Sequence, residues 1–243
     1  MASNTVRLTI ITDFVCANCC ITEHELLNAI TYCRDTLNLP LSFELEHLPF
    51  RLINTASLSD NGPKIDKRTF MTQWIGKERF LKIESAIAKW GDEKGIPIKF
   101  HGVMSQSTRA HRLCQKAFRI GGPELQTPVL FALFKAYLEE SKDIADNNVL
   151  ADLAENVGMM TRGEALKFLE SDELEKEIHE MCAAARSRGI AGVPMTIING
   201  KWAITGSQSA DVYIQIFKRL AAAICTSPST PLHTPTMNTE IRT

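Results

Sequence analysis

Hydrophobic and polar positions divide the chain into a β-type start, a long helical middle and a short β-type return. Val6–Thr12 is an apolar run of strand length and predicts a buried strand. Over Cys19–Leu37 the apolar positions Leu26, Ala29, Ile30, Cys33 and Leu37 fall on one face of a helix, which Leu39-Pro40 breaks. Ser42–Leu48 alternates, with Phe43 and Leu45 on one face, and reads as a second strand running up to Pro49-Phe50. This β-α-β order favours parallel pairing through a right-handed crossover. Asn54–Lys67, rich in Ser, Asp, Asn, Gly and Pro, predicts a loop.

Helical spacing dominates residues 68–188. Helices are expected at Phe70–Ile75 and Phe80–Trp90, broken near Gly76 and ended by Gly91. Ile96–Phe100 reads as a short extended piece. Ser107–Ile120 carries Ala110, Leu113, Cys114 and Ala117 on one stripe and stops at Gly121-Gly122. Thr127 as N-cap and Pro128 at the first position predict a further helix through Tyr137 to Glu140. Asn148–Val157 is another. Thr161 and Glu164 fit a capping box for Glu164–Leu169. Glu173–Arg188 turns Leu174, Ile178, Met181, Cys182 and Ala185 to one side, and Gly189 ends it. The β-type pattern returns at Met195–Ile198, with Asn199-Gly200 as a tight turn and Trp202–Thr205 as the partner strand. Ser209 caps a last helix, Ala210–Ile224, with Val212, Ile216, Leu220 and Ile224 inward. Thr226–Thr243, full of Thr, Ser and Pro, is expected to be disordered.

The strand pieces at the two ends are too short to stand apart. They predict an α/β fold: one mixed four-stranded sheet with a large inserted helical subdomain. The core would comprise residues 1–62 and 189–225, the insertion 63–188, and the tail 226–243. A formal net charge of −1, 44% hydrophobic and 23% charged residues give no electrostatic footprint for nucleic acid. No apolar run approaches the roughly 20 residues of a membrane span. Met1–Thr5 lacks the basic head and apolar stretch of a secretory signal, so a cytoplasmic protein is expected. Seven cysteines are an odd number and widely spread. In a reducing compartment a close pair points to catalysis or metal binding rather than structural bridging.

That pair is Cys16-Ala17-Asn18-Cys19, placed where the first strand ends and the first helix begins. Unpaired N–H groups and the helix dipole favour an anion there, which eases ionisation of a thiol. Cys16 would be the exposed attacking sulfur and Cys19, one turn in, the resolving one. Cys20 reads as a packed small side chain or an accessory thiol. Zinc would need a second chelating pair beside Cys16, Cys19, Cys20 and His24, and there is no second Cys-x-x-Cys, so no metal site is expected. His24 reads as a packing residue, and His47 lies near the sheet end. Cys33, Cys114 and Cys182 fall on apolar stripes and read as core; Cys225 begins the tail. Trp74, Phe80 and Trp90 are candidates to line a pocket over the dithiol.

Three segments carry a family resemblance. They are Asp13-Phe14-Val15-Cys16-Ala17-Asn18-Cys19, Ser107–Leu113, and Gly189–Gly200, with Ala203–Gln208 following. Together they resemble the DsbA-like thioredoxin superfamily, in the FrnE-like branch of intracellular oxidoreductases, over about residues 5–224. The resemblance implies a thioredoxin-like fold and a thiol–disulfide oxidoreductase working through a mixed disulfide on a protein or on a small sulfur-containing metabolite, as in secondary metabolism. It implies a cis Val193–Pro194 bond beside the dithiol, where Val193 and Pro194 would pair with substrate. It also places His111 on the inserted helices facing the site, to shape the groove or to pack between helices. Members of that branch usually carry Pro-Trp between the cysteines and Tyr after them; here Ala17, Asn18 and Cys20 occupy those positions. The residues between the cysteines tune acidity and reduction potential. No tightly bound cofactor is expected; glutathione is the candidate co-substrate, and a homodimer the candidate assembly.

Two other functions fit the same layout. One is a glutathione-dependent transferase or isomerase of the kappa-class or hydroxychromene-carboxylate isomerase type, against which Cys16 argues, because those enzymes typically carry Ser at the first motif position. The other is a thiol metal-handling module built on Cys16, Cys19 and Cys20.

Overall fold

The computed structural model describes residues 4–53, 58 and 63–225. The predicted tail, and most of the predicted loop at 54–67, lie outside the described residues, as does the side chain of Cys225. Strand β1 (Thr5–Thr12) leads into helix α1 (Ala17–Asp35), which returns to β2 (Ser42–Pro49). Helices α2 (Lys67–Ile75), α3 (Lys77–Lys94), α4 (Thr108–Phe134), α5 (Asn147–Asn156), α6 (Arg162–Glu170) and α7 (Glu175–Ser187) follow. Then come β3 (Met195–Ile198), β4 (Trp202–Thr205) and α8 (Ala210–Cys225).

The four strands form one mixed sheet in the order β2-β1-β3-β4, with β1 parallel to β2 and antiparallel to β3, and β3 antiparallel to β4. This is the thioredoxin-like sheet expected from the sequence. Alternation along β1 sends Val6, Leu8 and Ile10 to the face covered by α1 and α8, where they meet Leu26, Ile30, Tyr213 and Phe217. Ile11 faces the other way, with Phe50, Ala185 and Ile190. A larger apolar cluster runs from Phe14 and the first turn of α1 into the helices between β2 and β3. At the hairpin between β3 and β4, Asn199 and Gly200 both take positive φ (51° and 66°), as the tight turn requires.

Three helical details differ from the expectations. Gly91 does not end α3; a Cβ there would lie 2.4 Å from the Ile96 carbonyl oxygen, so the glycine permits a close backbone approach inside the helix. The stop is Gly95, in the left-handed region at φ 71°. In α4 the kink falls at Gly121-Gly122 as the sequence suggests, but the second half restarts at Pro123, and Thr127 and Pro128 lie within it. On α8 the buried residues are Tyr213, Ile214, Phe217 and Ala221, one position round from the predicted stripe, and Val212 is exposed. The helix is apolar on several sides, and ring packing decides: Phe217 stacks edge-on against Phe43 of β2, with centroids 4.8 Å apart.

Candidate active site

Strand pairing brings the chemistry together. Because β1 and β3 are antiparallel and Ile11 pairs with Met195, the residues just after β1 lie beside those just before β3. The parallel partner β2 ends at the same edge, where the Phe50 N–H donates to the Thr12 carbonyl at 2.9 Å. Asp13–Cys16, Phe50–Ile53 and Val193-Pro194 therefore share one end of the sheet. Cys16 is the N-cap of α1, and its thiol donates to the Val193 carbonyl, Sγ to O 3.8 Å. The Val193–Pro194 peptide bond is cis.

The two motif thiols are shifted in opposite directions. Cys16 falls below the ordinary thiol value, first because the Cys19 side chain hydrogen-bonds to it. Burial opposes this, the Cys19 and Asn18 backbone N–H groups add to it, and the Asp13 charge opposes it. Those N–H groups belong to the first turn of α1, and the Cys19 N–H also donates to the Cys16 carbonyl at 3.0 Å. Cys19 is pushed well above the usual range by burial first, then by its hydrogen bond to Cys16 and the Cys16 charge. Both cysteines are unpaired thiols. The arrangement makes Cys16 the more easily ionised thiol, with a neighbour behind it that holds its proton.

Asp13, fully buried, fastens the motif loop: its Oδ2 accepts from the Leu52 N–H at 2.7 Å. His111, from the first turn of α4, donates from Nε2 to the Phe50 carbonyl at 3.0 Å, and the same nitrogen lies 3.3 Å from Asp13 Oδ1. Its ring packs on Phe14, centroids 4.7 Å apart. Cys16 opens onto a cavity of about 220 Å³ walled by apolar side chains of the chain between β2 and β3, among them Met71, Ile83, Ile87, Phe100 and Leu138.

A model of the DSBA-like thioredoxin domain matches residues 7–218. The chain belongs to the DSBA-like thioredoxin family. This makes it an enzyme of the DsbA-like thiol–disulfide oxidoreductase type. A probable DsbA oxidoreductase from Streptomyces coelicolor superposes with a TM-score of 0.76 at 19% identity, covering 95% of this chain and 94% of that one. A 2-hydroxychromene-2-carboxylate isomerase gives 0.59 at 16% identity (90% and 96% covered). The cytosolic disulfide reductase DsbM from Pseudomonas aeruginosa, solved with GSH, gives 0.55 at 16% (90% and 98%). At these identities the likenesses show the shared fold. No curated protein sequence matches.

In this DSBA-like protein, Cys16, Cys19, Val193, Pro194 and His111 gather at one end of the sheet. His111 contacts Phe50 and Asp13, so it holds the loops of the site in place. Cys16 is less exposed than expected, at 8%, and faces the cavity rather than open solvent. Cys20 is buried, and burial first, then the charges of Glu139 and Glu23, push it up to about 12. A thiol so hard to ionise is a poor nucleophile at neutral pH. Of the aromatic candidates, Trp74 lines the cavity; Phe80 packs against Phe100, and Trp90 donates to Glu25 at 3.1 Å. His24 packs between Trp90 and Phe131. His47 is buried in a pair with Glu23, Nε2 to Oε2 3.0 Å. Among the described residues no group of three or more His, Cys, Asp or Glu is placed to hold a metal ion. Sequence reasoning missed Lys67, a buried cation on the cavity wall, because it falls in a stretch that reads as loop.

Proposed function

We propose that Cys16 and Cys19 form a redox dithiol that exchanges with thiol or disulfide substrates, Cys16 being the attacking sulfur. The observation that carries this reading is the seat of Cys16: a helix start, with its Sγ against the carbonyl that precedes a cis-proline and its cavity side open to a substrate. In the reducing direction the Cys16 thiolate attacks a substrate disulfide and releases one substrate thiolate. Cys19 then gives up its proton, attacks the mixed disulfide and releases the second, leaving a Cys16–Cys19 disulfide. The oxidising direction is the reverse, and the potential of the partner pair decides between them. The Val193 carbonyl, freed of the Cys16 thiol once the mixed disulfide forms, is placed to accept from a substrate N–H. Within the family we place the chain in the FrnE-like branch and in the cytoplasm, where Cys33, Cys114 and Cys182 stay reduced. Glutathione is the co-substrate we assign for resetting the pair.

The test is mass spectrometry of protein equilibrated in defined glutathione redox buffers and trapped with a thiol-blocking reagent. The reading expects one pair, Cys16–Cys19, to interconvert, and Cys16 to be labelled first by iodoacetamide at neutral pH. Preferential labelling of Cys33 or Cys225, or a different pair, would sink it. Glutathione consumption with chlorodinitrobenzene that survives Cys16→Ser would instead favour the transferase or isomerase reading.

A further inference from the structure

The cavity beside Cys16 carries charge of one sign. Among its described lining residues are two cations, Lys67 and Arg79, and no carboxylate. Arg79 is exposed at the rim, whereas Lys67 is 97% buried, being 3% exposed. Lys67 is the first residue of α2, behind the N-cap Asp66. Its Nζ donates to the Tyr137 carbonyl at 3.0 Å and sits 3.7 Å from the centre of the Tyr137 ring. Tyr137 lies in a single π-helical turn, Lys135–Glu139, at the end of α4, where terminal carbonyls lack helical partners.

That contact accounts for one of the three ammonium protons. No carboxylate of the described residues lies within ion-pair distance of Nζ. The Asp66 carboxylate is taken up in capping α2, accepting from the Thr69 N–H at 2.9 Å. Burial holds the ammonium down to about 8, so it remains mostly charged at neutral pH. A buried charge without a counter-ion costs stability that an apolar side chain would not. Among the described residues the ammonium has one carbonyl contact, a ring contact and the nearby charge of Asp66, but no ion pair. Apart from Asn18 and the Cys16 thiol, the remaining side chains of the wall are largely apolar, and the volume of about 220 Å³ exceeds the roughly 150 Å³ that takes up benzene in an engineered cavity.

We infer that this cavity binds small thiols or disulfides with an apolar body and a terminal carboxylate, which Lys67 pairs with while the sulfur meets Cys16. The inference rests on the dithiol reading and names the substrate class of that same site. Oxidation of such a thiol balances in two steps. Its thiolate attacks Sγ of Cys16 in the Cys16–Cys19 disulfide, and Cys19 leaves as the thiolate. A second substrate thiolate then displaces Cys16, so two thiols become one disulfide and the protein takes up the two electrons.

The test uses oxidised full-length protein with mercaptopropionate, mercaptohexanoate and mercaptooctanoate and the primary amide of each. Each rate is normalised to the same thiol's rate with hydroxyethyl disulfide free in solution. The acid-to-amide ratio should reach on the order of 10-fold for at least one chain length, the worth of one charge-assisted hydrogen bond. Lys67→Met should bring that ratio close to one and Lys67→Arg should retain most of it. Lys67→Gln, which keeps a donor for the Tyr137 carbonyl, should lower the ratio likewise and supplies the reading if Lys67→Met does not fold, whereas Arg79→Gln, on an exposed side chain, should lower it by about 2-fold at most. A ratio near one at all three lengths, or a high ratio indifferent to both positions, overturns the anion site. Amide thiols that still form the Cys16 mixed disulfide in that case leave the dithiol reading standing. No exchange at Cys16 with either series removes both.

Discussion

Replacing Cys19 by Ala should make Cys16 a weaker acid. The largest cause of the low Cys16 value is the hydrogen bond from the Cys19 side chain, and the variant deletes that donor while leaving the backbone N–H groups of Asn18 and Cys19 in place. A hydrogen bond to a charged group is worth about 1.5–3 kcal/mol net. One pKa unit corresponds to about 1.4 kcal/mol, so the Cys16 titration midpoint should rise by about 1–2 units. Reactivity falls less steeply than thiolate population, because a more basic thiolate is a better nucleophile with a slope of about 0.4–0.5. Once the midpoint lies above the assay pH, each unit therefore slows alkylation only about 3–4-fold.

The assay is the pH profile of iodoacetamide alkylation at Cys16, read site by site by mass spectrometry. Cys19→Ser is the control, since its hydroxyl keeps a donor and equally cannot resolve a disulfide. It should move the midpoint by less than half as much as Ala does. Loss of one buried sulfur leaves a void worth only about 1 kcal/mol, so both variants should fold. An Ala midpoint within about 0.3 units of the parent would refute the hydrogen-bond account. Equal shifts for Ala and Ser would assign the effect to packing instead.

Three other perturbations probe the surroundings. Asp13→Asn removes a like charge that raises Cys16, so its alkylation midpoint should move down; an upward move would mean that the carboxylate matters through the loop it fastens to Leu52 rather than through its charge. Glu23→Gln breaks a pair with His47 in which each side chain is about 1% exposed, and urea unfolding should register a loss of about 3–5 kcal/mol. Burial lowers His47, but the Glu23 charge and hydrogen bonds outweigh it, so the folded value is raised. The stability it contributes is therefore complete below its unfolded value of about 6.5 and disappears as pH climbs through the folded one; the parent should lose stability over that rise relative to His47→Gln. Gly91→Ala would put a Cβ against the Ile96 carbonyl, costing about 1–3 kcal/mol and lowering the melting temperature by several degrees; an unchanged melting curve would contradict that contact.

The legible parts of the sequence were those with short-range causes. The strands of the sheet follow from the apolar run at Val6–Thr12, from alternation at Ser42–Leu48 and from Asn199-Gly200, and the Thr161–Glu164 capping box forms as its spacing predicts. The dithiol's position follows from a strand pattern giving way to a helical one within a few residues. What was not legible depended on partners distant in the chain. Gly91 reads as a helix stop unless Ile96 is known to return over it. The inward face of α8 was decided by the Phe43–Phe217 packing, which periodicity within α8 does not contain. Lys67 reads as a solvated loop charge, and only the Tyr137 carbonyl and ring account for its burial.

That division extends to the chemistry. The acidity of Cys16 is set first by the Cys19 side chain, then opposed by burial, with smaller parts from the Cys19 and Asn18 N–H groups and the Asp13 charge; apart from burial, these causes lie within three residues of it, in the motif and its strand–helix junction. The surface a substrate would meet comes mostly from α2, α3 and the end of α4, supplied by the chain between β2 and β3. Nucleophile and recognition wall thus arise from separate stretches and meet only because β1 pairs with both β2 and β3. On the dithiol proposal, substitutions between the cysteines, at Ala17 and Asn18, would act on electron exchange, whereas those at Lys67 or Met71 would act on which molecule is admitted to it. On the dithiol proposal, redox poise is set largely at the motif and its junction, modulated by the burial that the wall imposes on Cys16, while substrate class is set by the wall itself and is not readable from the Cys-x-x-Cys motif.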